Sequence, residues 1–183
     1  MGIESDRRLA GALVATPAGV LTLIFDIDRD IVFAAGYQPI GHLIVHIEGP
    51  YSWRGELKRP PAALLEAFEA YGDGQVDGLD GIVGRQPGGT FRQNVWRTLR
   101  DQHLPVSYGH LAELAGYPRA ARAVGTACAA NLLGLIVPCH RVIKADGGIG
   151  SYGYGDGDGV RIKRRLLAHE SGHRRAPAGQ AVS

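Results

Sequence analysis

The sequence predicts an α/β N-terminal domain, built from a small antiparallel sheet plus a helix. A mainly helical C-terminal domain with a helix-turn-helix follows it. Three observations carry that expectation. Short β-branched and apolar runs separated by turn residues fill the first third. Residues 72–90 hold seven glycines and one proline with little periodicity, which marks a linker. Beyond the linker, apolar residues recur at helical spacing.

Residues 13–16, 20–27 and 31–35 read as strands, with Pro17-Ala18-Gly19 and Asp28-Arg29-Asp30 as the turns of an antiparallel meander. Residues 37–58 are ambiguous, and 42–47 read as a candidate further strand. Pro60-Pro61 opens a helix with Leu64, Leu65, Phe68 and Tyr71 on one face, stopped by Gly72-Asp73-Gly74. Phe91, Val95, Trp96 and Leu99 share a face of the next helix, with Thr90 as its cap. Ser107 caps a short helix through Ala115, Gly116-Tyr117-Pro118 forms a turn, and a second helix covers about 119–131. The last helix, about 160–170, carries Arg161, Lys163, Arg164 and Arg165, and residues 171–183 read as a frayed tail. The expected division is therefore 1–85, 86–170 and the tail 171–183.

No apolar run approaches the roughly 18–20 residues of a membrane span, because Leu21-Thr22-Leu23-Ile24-Phe25 is cut by Asp26. Residues 2–8 lack the apolar core of a secretory signal, so a cytoplasmic protein away from membranes is expected. The near-neutral total hides an asymmetry. Residues 1–90 hold 7 Lys+Arg against 12 Asp+Glu, and residues 91–183 hold 13 against 6. A basic half beside an acidic one suits a polyanion on one face, or equally a soluble surface of uneven charge.

Two cysteines, Cys128 and Cys139, make no disulfide framework. Cys139 stands in Ile136-Val137-Pro138-Cys139-His140-Arg141-Val142, with Glu170 downstream. A free thiol ionises near pKa ~8.5, so only a few per cent is thiolate at neutral pH. An imidazole can take the proton directly or through a water, and a carboxylate on its far nitrogen fixes the tautomer. A random Cys-His pair is more often structural, but Pro138 rigidifies the approach to Cys139. Residues 119–127 are mostly small side chains carrying Arg119 and Arg122, which suits close packing on a neighbour or entry into a nucleic-acid groove.

Pro138-Cys139-His140-Arg141-Val142 closely resembles the active-site signature of O6-alkylguanine-DNA alkyltransferases, the methylated-DNA–protein-cysteine methyltransferases. The resemblance runs from Gly89 to Glu170. It takes in Val106-Ser107-Tyr108-Gly109, Arg119 to Gly125, and Asn131. It implies direct-reversal repair, in which the alkyl group of O6-alkylguanine, and of O4-alkylthymine, moves from DNA to Cys139 once per molecule. By position it implies Cys139 as acceptor, His140 as its base through a bridging water, and Glu170 as the orienter of His140. Arg122 resembles the finger that fills the gap of the flipped nucleotide, within a DNA-contacting set of Ser107, Tyr108, Arg119, Ala121 and Ala123. Tyr108 resembles the donor to guanine N3, and Asn131 the hinge tying the helix-turn-helix to the Cys loop. Tyr152 is similar to the aromatic wall of the guanine pocket, with Val142, Gly150, Ser151 and Gly153 around it. The implied partner is double-stranded DNA entered through the minor groove by a monomer near the nucleoid, with no cofactor and no metal.

The chain departs from that pattern in three places. Leu132 stands where the family often has proline, and Gly153 where some members have serine. The segment Gly153 to Gly159 is about four residues longer than usual, and a mobile pocket rim is expected there. Cys128 reads as a small buried apolar residue, His42 and His46 as ordinary surface or core polarity, and Asp156 with Asp158 as an incomplete calcium loop. Three rival readings are a non-reactive lesion binder, a helix-turn-helix regulator and a thiol hydrolase.

Overall fold

The structure is a computed structural model that describes residues 7–153 and 158–173. The first half contains β1 (Arg7–Thr16), β2 (Gly19–Asp26), β3 (Val32–Gly36), α1 (Ile40–Ile44), β4 (Tyr51–Leu57) and α2 (Ala62–Gly72). The second half contains α3 (Thr90–Arg100), β5 (Val106–Ser107), α4 (Tyr108–Leu114), α5 (Ala121–Ala129), a 3-10 turn at Cys139–Arg141, β6 (Val142–Ile143) and α6 (Gly159–His173).

The larger sheet has the order β3-β2-β1-β4. The β1–β2–β3 meander is antiparallel as expected, with Thr16 opposite Gly19 at its first turn. The sheet as a whole is mixed, which corrects the expected antiparallel sheet: β4 pairs with β1 in parallel. Residues 42–47 form no strand. Pro39 caps α1, and Ile40, Leu43, Ile44 and Ile47 fall at i, i+3, i+4 and i+7, a helical stripe laid on Ile24, Phe33 and Ala34. Helix α1 thus belongs to the crossover that parallel pairing requires.

Helix α1 covers one sheet face and α2 with the second half covers the other. Doubly covered strands read as continuous apolar runs, and β3 is buried along its whole length. The larger apolar cluster joins Leu21, Leu23 and Phe25 of the sheet to Leu99, Leu111, Val124 and Leu166 of the second half.

The outer edge of β3 is closed by two segments outside regular elements. Val32 exchanges backbone bonds with Val83 and Arg85, and Ala35 with Leu132 and Gly134. The glycine-rich stretch therefore seals a sheet edge. The same edge grips the chain just after Asn131.

Helix ends moved modestly. Gly89 rather than Thr90 occupies the N-cap of α3, without a side-chain bond. Ser107 caps α4 as expected, accepting from the His110 N–H at 3.1 Å. Helix α5 begins at Ala121, not 119, because Arg119 has φ +71° and stands outside helical geometry. A turn through Gly116, at φ +85°, joins α4 to α5. Helix α6 continues through His173, so 171–173 are helical rather than tail; the expectations for 174–183 and the middle of the long glycine segment lie outside the described residues.

At Gly134 a Cβ would come 2.9 Å from the Ala35 carbonyl oxygen, which is backbone and cannot step aside cheaply. Gly134→Ala is expected to cost about 1–3 kcal/mol and to lower the urea midpoint, whereas exposed Gly172→Ala, with nothing near it, should not lower it.

Candidate active site

Residue 139 opens a 3-10 turn between an apolar run, Leu132 to Val137, and β6. The β5–β6 pair, with Val106 opposite Val142 and Ser107 opposite Ile143, brings the start of α4 beside this turn. Helix α6 closes the site from below, presenting Lys163, Leu166 and Glu170 on its buried stripe.

Glu170 is wholly buried and heavily bonded. Its Oε1 lies 2.6 Å from His140 Nε2, 3.0 Å from the Tyr71 hydroxyl that donates to it, and 3.0 Å from Arg141 Nη2. Arg141 Nε adds a bond to Oε2 at 3.0 Å. The rest of the Arg141 guanidinium donates to the carbonyls of Gln102 and Val76, at 2.6 and 2.9 Å. Burial by itself would raise the Glu170 pKa, but the bonds and charges of His140 and Arg141 override it and hold the carboxyl at about 2. An ionised carboxylate only accepts, so His140 Nε2 carries a proton and donates it.

His140 is fully buried, and burial pushes its pKa down from 6.5 against the opposing pull of Glu170. The ring is therefore neutral near pH 7, with a lone pair on Nδ1. That atom is buried and makes no hydrogen bond to any described residue. Tyr152 meets the ring edge-on, centroids 6.3 Å apart.

Cys139 is 5% exposed and forms part of a cavity of about 110 Å³, together with Cys128, Asn131, Tyr37, Tyr152 and Gly153. Its sulfur receives a bond from Asn131 Nδ2 at 3.1 Å. The same nitrogen donates to the Val137 carbonyl at 3.0 Å, while Asn131 Oδ1 accepts from Gln86 Nε2 and the Leu133 N–H, both at 3.0 Å. Gln86 Oε1 then accepts the Leu132 N–H at 2.6 Å. A proline at 132 would have no such N–H. Here the donor that comes with leucine is used, and Gln86 clamps the hinge through a side chain.

The cysteine pair sets the resting protonation. The neighbouring Cys128 thiol, followed by burial, holds the Cys139 thiol well above its ordinary range. Cys139 in turn lowers Cys128. Asn131 and then Lys163 pull Cys139 the other way. Lys163, buried on α6, donates to the Val142 carbonyl at 2.5 Å and the Ser151 carbonyl at 3.3 Å.

Of the pocket residues named from sequence, Tyr152 and Gly153 line the cavity with Cys139. Val142, Gly150 and Ser151 are not among its lining. Val142 and Ser151 hold Lys163 through their carbonyls, and Gly150, at φ +72°, leaves room where a Cβ would meet the Tyr108 hydroxyl at 3.2 Å. Tyr108 is half-buried, lying between Gly150 and Gly125 of α5. Arg119, Arg122 and Ala123 are exposed, while Ala121 and Ser107 are half-buried. His42 and His46 are exposed at α1.

Four participants escaped the sequence reading. The sequence gives Tyr71 only a place on a helix face and Arg141 one in the motif, puts Gln86 in the linker, and shows Lys163 only as one of four basic residues of the last helix. Lys163 had a signal: it shares the i, i+3, i+7 stripe with Leu166 and Glu170. Cys128 is half-buried and lines the same cavity as Cys139 rather than only filling space.

The family model for the 6-O-methylguanine DNA methyltransferase DNA-binding domain matches residues 90–172. A methylated-DNA–protein-cysteine methyltransferase of Shigella flexneri is 33% identical over 171 residues, covering 89% of this chain and 96% of that protein. The Rattus norvegicus protein of the same name is 47% identical over 94 residues, which is 50% of this chain and 42% of the rat protein. Against that mammalian relative, the chain spans less than half the length. Among solved structures, Mycobacterium tuberculosis OGT in complex with DNA superposes with TM-score 0.65 at 27% identity, covering 91% of this chain and 94% of that one. The fold matches that of proteins named for cysteine-based methyl transfer on DNA, and it brings Cys139, His140 and Glu170 together in its interior. The chain belongs to the methylated-DNA–protein-cysteine methyltransferase family.

Two tests follow from the geometry. Because folding lowers the Glu170 pKa from 4.5 to about 2, its share of stability is complete above about pH 4.5 and is lost as pH falls toward 2. Glu170→Gln, which leaves Arg141 without its buried anion, is expected to cost about 3–5 kcal/mol at pH 7. That gap should narrow in urea melts between pH 4.5 and 3, whereas a gap independent of pH would contradict the assignment. Gln86→Ala removes bonds to Asn131 and Leu132, and its expected cost is about 1–3 kcal/mol, with altered iodoacetamide reactivity at Cys139 as the local readout.

Proposed function

We propose that this chain repairs DNA by direct reversal, moving the alkyl group of O6-alkylguanine, and of O4-alkylthymine, onto Sγ of Cys139. The observation that carries the reading is a neutral, buried His140, anchored on Nε2 by Glu170 and placed one residue from a thiol that lines a cavity. Residues 86–170 form the DNA-binding alkyltransferase unit, and α4–turn–α5 is its helix-turn-helix.

The alkyl carbon sits on O6 inside the base stack, so in-line attack requires the nucleotide to leave the duplex. Helix α5 enters the minor groove with its small residues, Ala121 and Ala123, against the backbone. Arg122 fills the gap in the stack, and Arg119 and Ser107 contact phosphate. The flipped base enters beside Tyr152 and Gly153, while Tyr108 donates to guanine N3 as negative charge builds on the departing base. Val142, Gly150 and Ser151 shape the pocket from behind through Lys163 and Tyr108.

The proton on Cys139 passes to His140 Nδ1 through a water, and Glu170 stabilises the imidazolium that results. Asn131 steadies the developing thiolate. Sulfur attacks the alkyl carbon, the C–O6 bond breaks, and its electrons remain on guanine, which takes up a proton. The thioether left on Cys139 has no leaving group that water can displace, so each molecule works once. The protein acts as a monomer and without a cofactor. A purely regulatory DNA binder would have no use for the buried His140–Glu170 pair. The workplace is chromosomal DNA, in the cytoplasm and at the nucleoid; among described residues no helix is long and apolar enough to cross a membrane.

Incubation with duplex DNA containing O6-methylguanine should add one methyl mass, mapped to the Cys139 peptide and absent in Cys139→Ser. Arg122→Ala should slow transfer from duplex by about 10–1000-fold, as expected for roughly 1.4–4 kcal/mol of lost support for the flipped state. Tight binding of that duplex without any mass increase would overturn the proposal.

A further inference from the structure

Cys128 is the one other cysteine of the chain, and it lies in the same cavity as the acceptor. It sits near the C-terminal end of α5, where the Asn131 hinge turns the chain back toward Cys139. Both line that cavity, and the charge state of each thiol bears on the other. Cys128 is half-buried, while Cys139 is 5% exposed behind it. Nothing in the transfer chemistry derived above uses Cys128.

We propose that Cys128 and Cys139 form a reversible disulfide when the protein meets a peroxide, so that the acceptor is masked rather than destroyed. Exposure sets the order of events. Cys128 meets solvent first, and it is also the thiol whose pKa is lowered, by the neighbouring Cys139 and by Lys163. Its thiolate attacks one oxygen of hydrogen peroxide, the O–O bond breaks, hydroxide leaves, and Cys128 becomes a sulfenic acid. Cys139 Sγ then attacks that sulfur, the S–O bond breaks, and the departing hydroxide takes the Cys139 proton as water. Two thiols lose two electrons in total, and the peroxide is reduced to two waters. A dithiol reductant returns both cysteines by thiol–disulfide exchange.

The consequence is particular to a protein whose acceptor works once. Oxidation of Cys139 alone to sulfinic acid would be irreversible, whereas the disulfide can be reduced. While the bridge stands, Cys139 has no free sulfur to give, so repair is suspended.

The test uses the full chain, reduced and then exposed to a small excess of hydrogen peroxide without DNA, so it stands apart from the alkyl-transfer reading. Thiols are blocked with N-ethylmaleimide and peptides are mapped by mass. The expected product is a monomer lighter by two hydrogens, with the Cys128 and Cys139 peptides linked and released by dithiothreitol. Methyl transfer should fall with the link and return on reduction. In Cys128→Ser and Cys128→Ala no link should form, and whatever Cys139 peroxide carries to sulfinic acid should not be recovered by dithiothreitol. Sulfinic acid on wild-type Cys139 without the link, intermolecular dimers instead of it, or both thiols still free after exposure would each overturn the proposal.

Discussion

A carboxylate with no exposed surface is the constraint around which the rest of this protein is arranged. Burying the Glu170 charge would be costly without partners, and Arg141, His140 and Tyr71 are among those it has. They come from α2 and the 3-10 turn, while Glu170 itself comes from α6. The same ion pair that holds these elements together fixes His140 with its proton on Nε2. Arg141 is essential to that outcome. Its positive charge balances Glu170, so the imidazole can stay neutral beside a carboxylate and retain a lone pair for a proton.

The sulfur end of the site rests on a different support. Asn131 uses both amide hydrogens and its oxygen within the loop, and Gln86 holds both Asn131 and the following N–H. Behind them, the edge of β3 bonds to 132–134 and to 83–85. The first half of the chain thus contributes no reacting atom, yet it determines where Cys139 stands. Leu132, which stands where the family often has proline, exchanges a rigid ring for an N–H that donates to Gln86. The hinge is held by contact rather than by covalent geometry.

Much of this was legible in the sequence, and the parts that were not share a cause. Local patterns gave the meander, α2, α3 and the Ser107 cap, because periodicity and capping depend on nearby residues. The parallel pairing of β4 was invisible, since it depends on a crossover and on which sheet edge is free. Residues 42–47 misled because a short apolar run suits either a strand or one turn of helix until Pro39 and the sheet beneath decide it. At the site, Cys139, His140, Glu170 and Asn131 were found through a motif. Gln86 and Tyr71 were not assigned, since their partners lie 45 and 99 residues away. Lys163 was hidden among arginines whose side chains do face solvent.

The directions of the two shifts put the resting proton on Cys139 and leave His140 neutral, and the proposed transfer hands that proton to His140, so the protonation of one imidazole carries the account. Nitrogen-15 NMR of histidine-labelled protein measures it directly. The expected result is a His140 that remains the neutral Nε2–H tautomer from pH 8 to below its ordinary value of 6.5. In Arg141→Met, where Glu170 loses its balancing charge, the same ring should titrate at higher pH. A His140 already doubly protonated at pH 7 in the wild-type protein would contradict the account, because an imidazolium has no lone pair with which to activate Cys139.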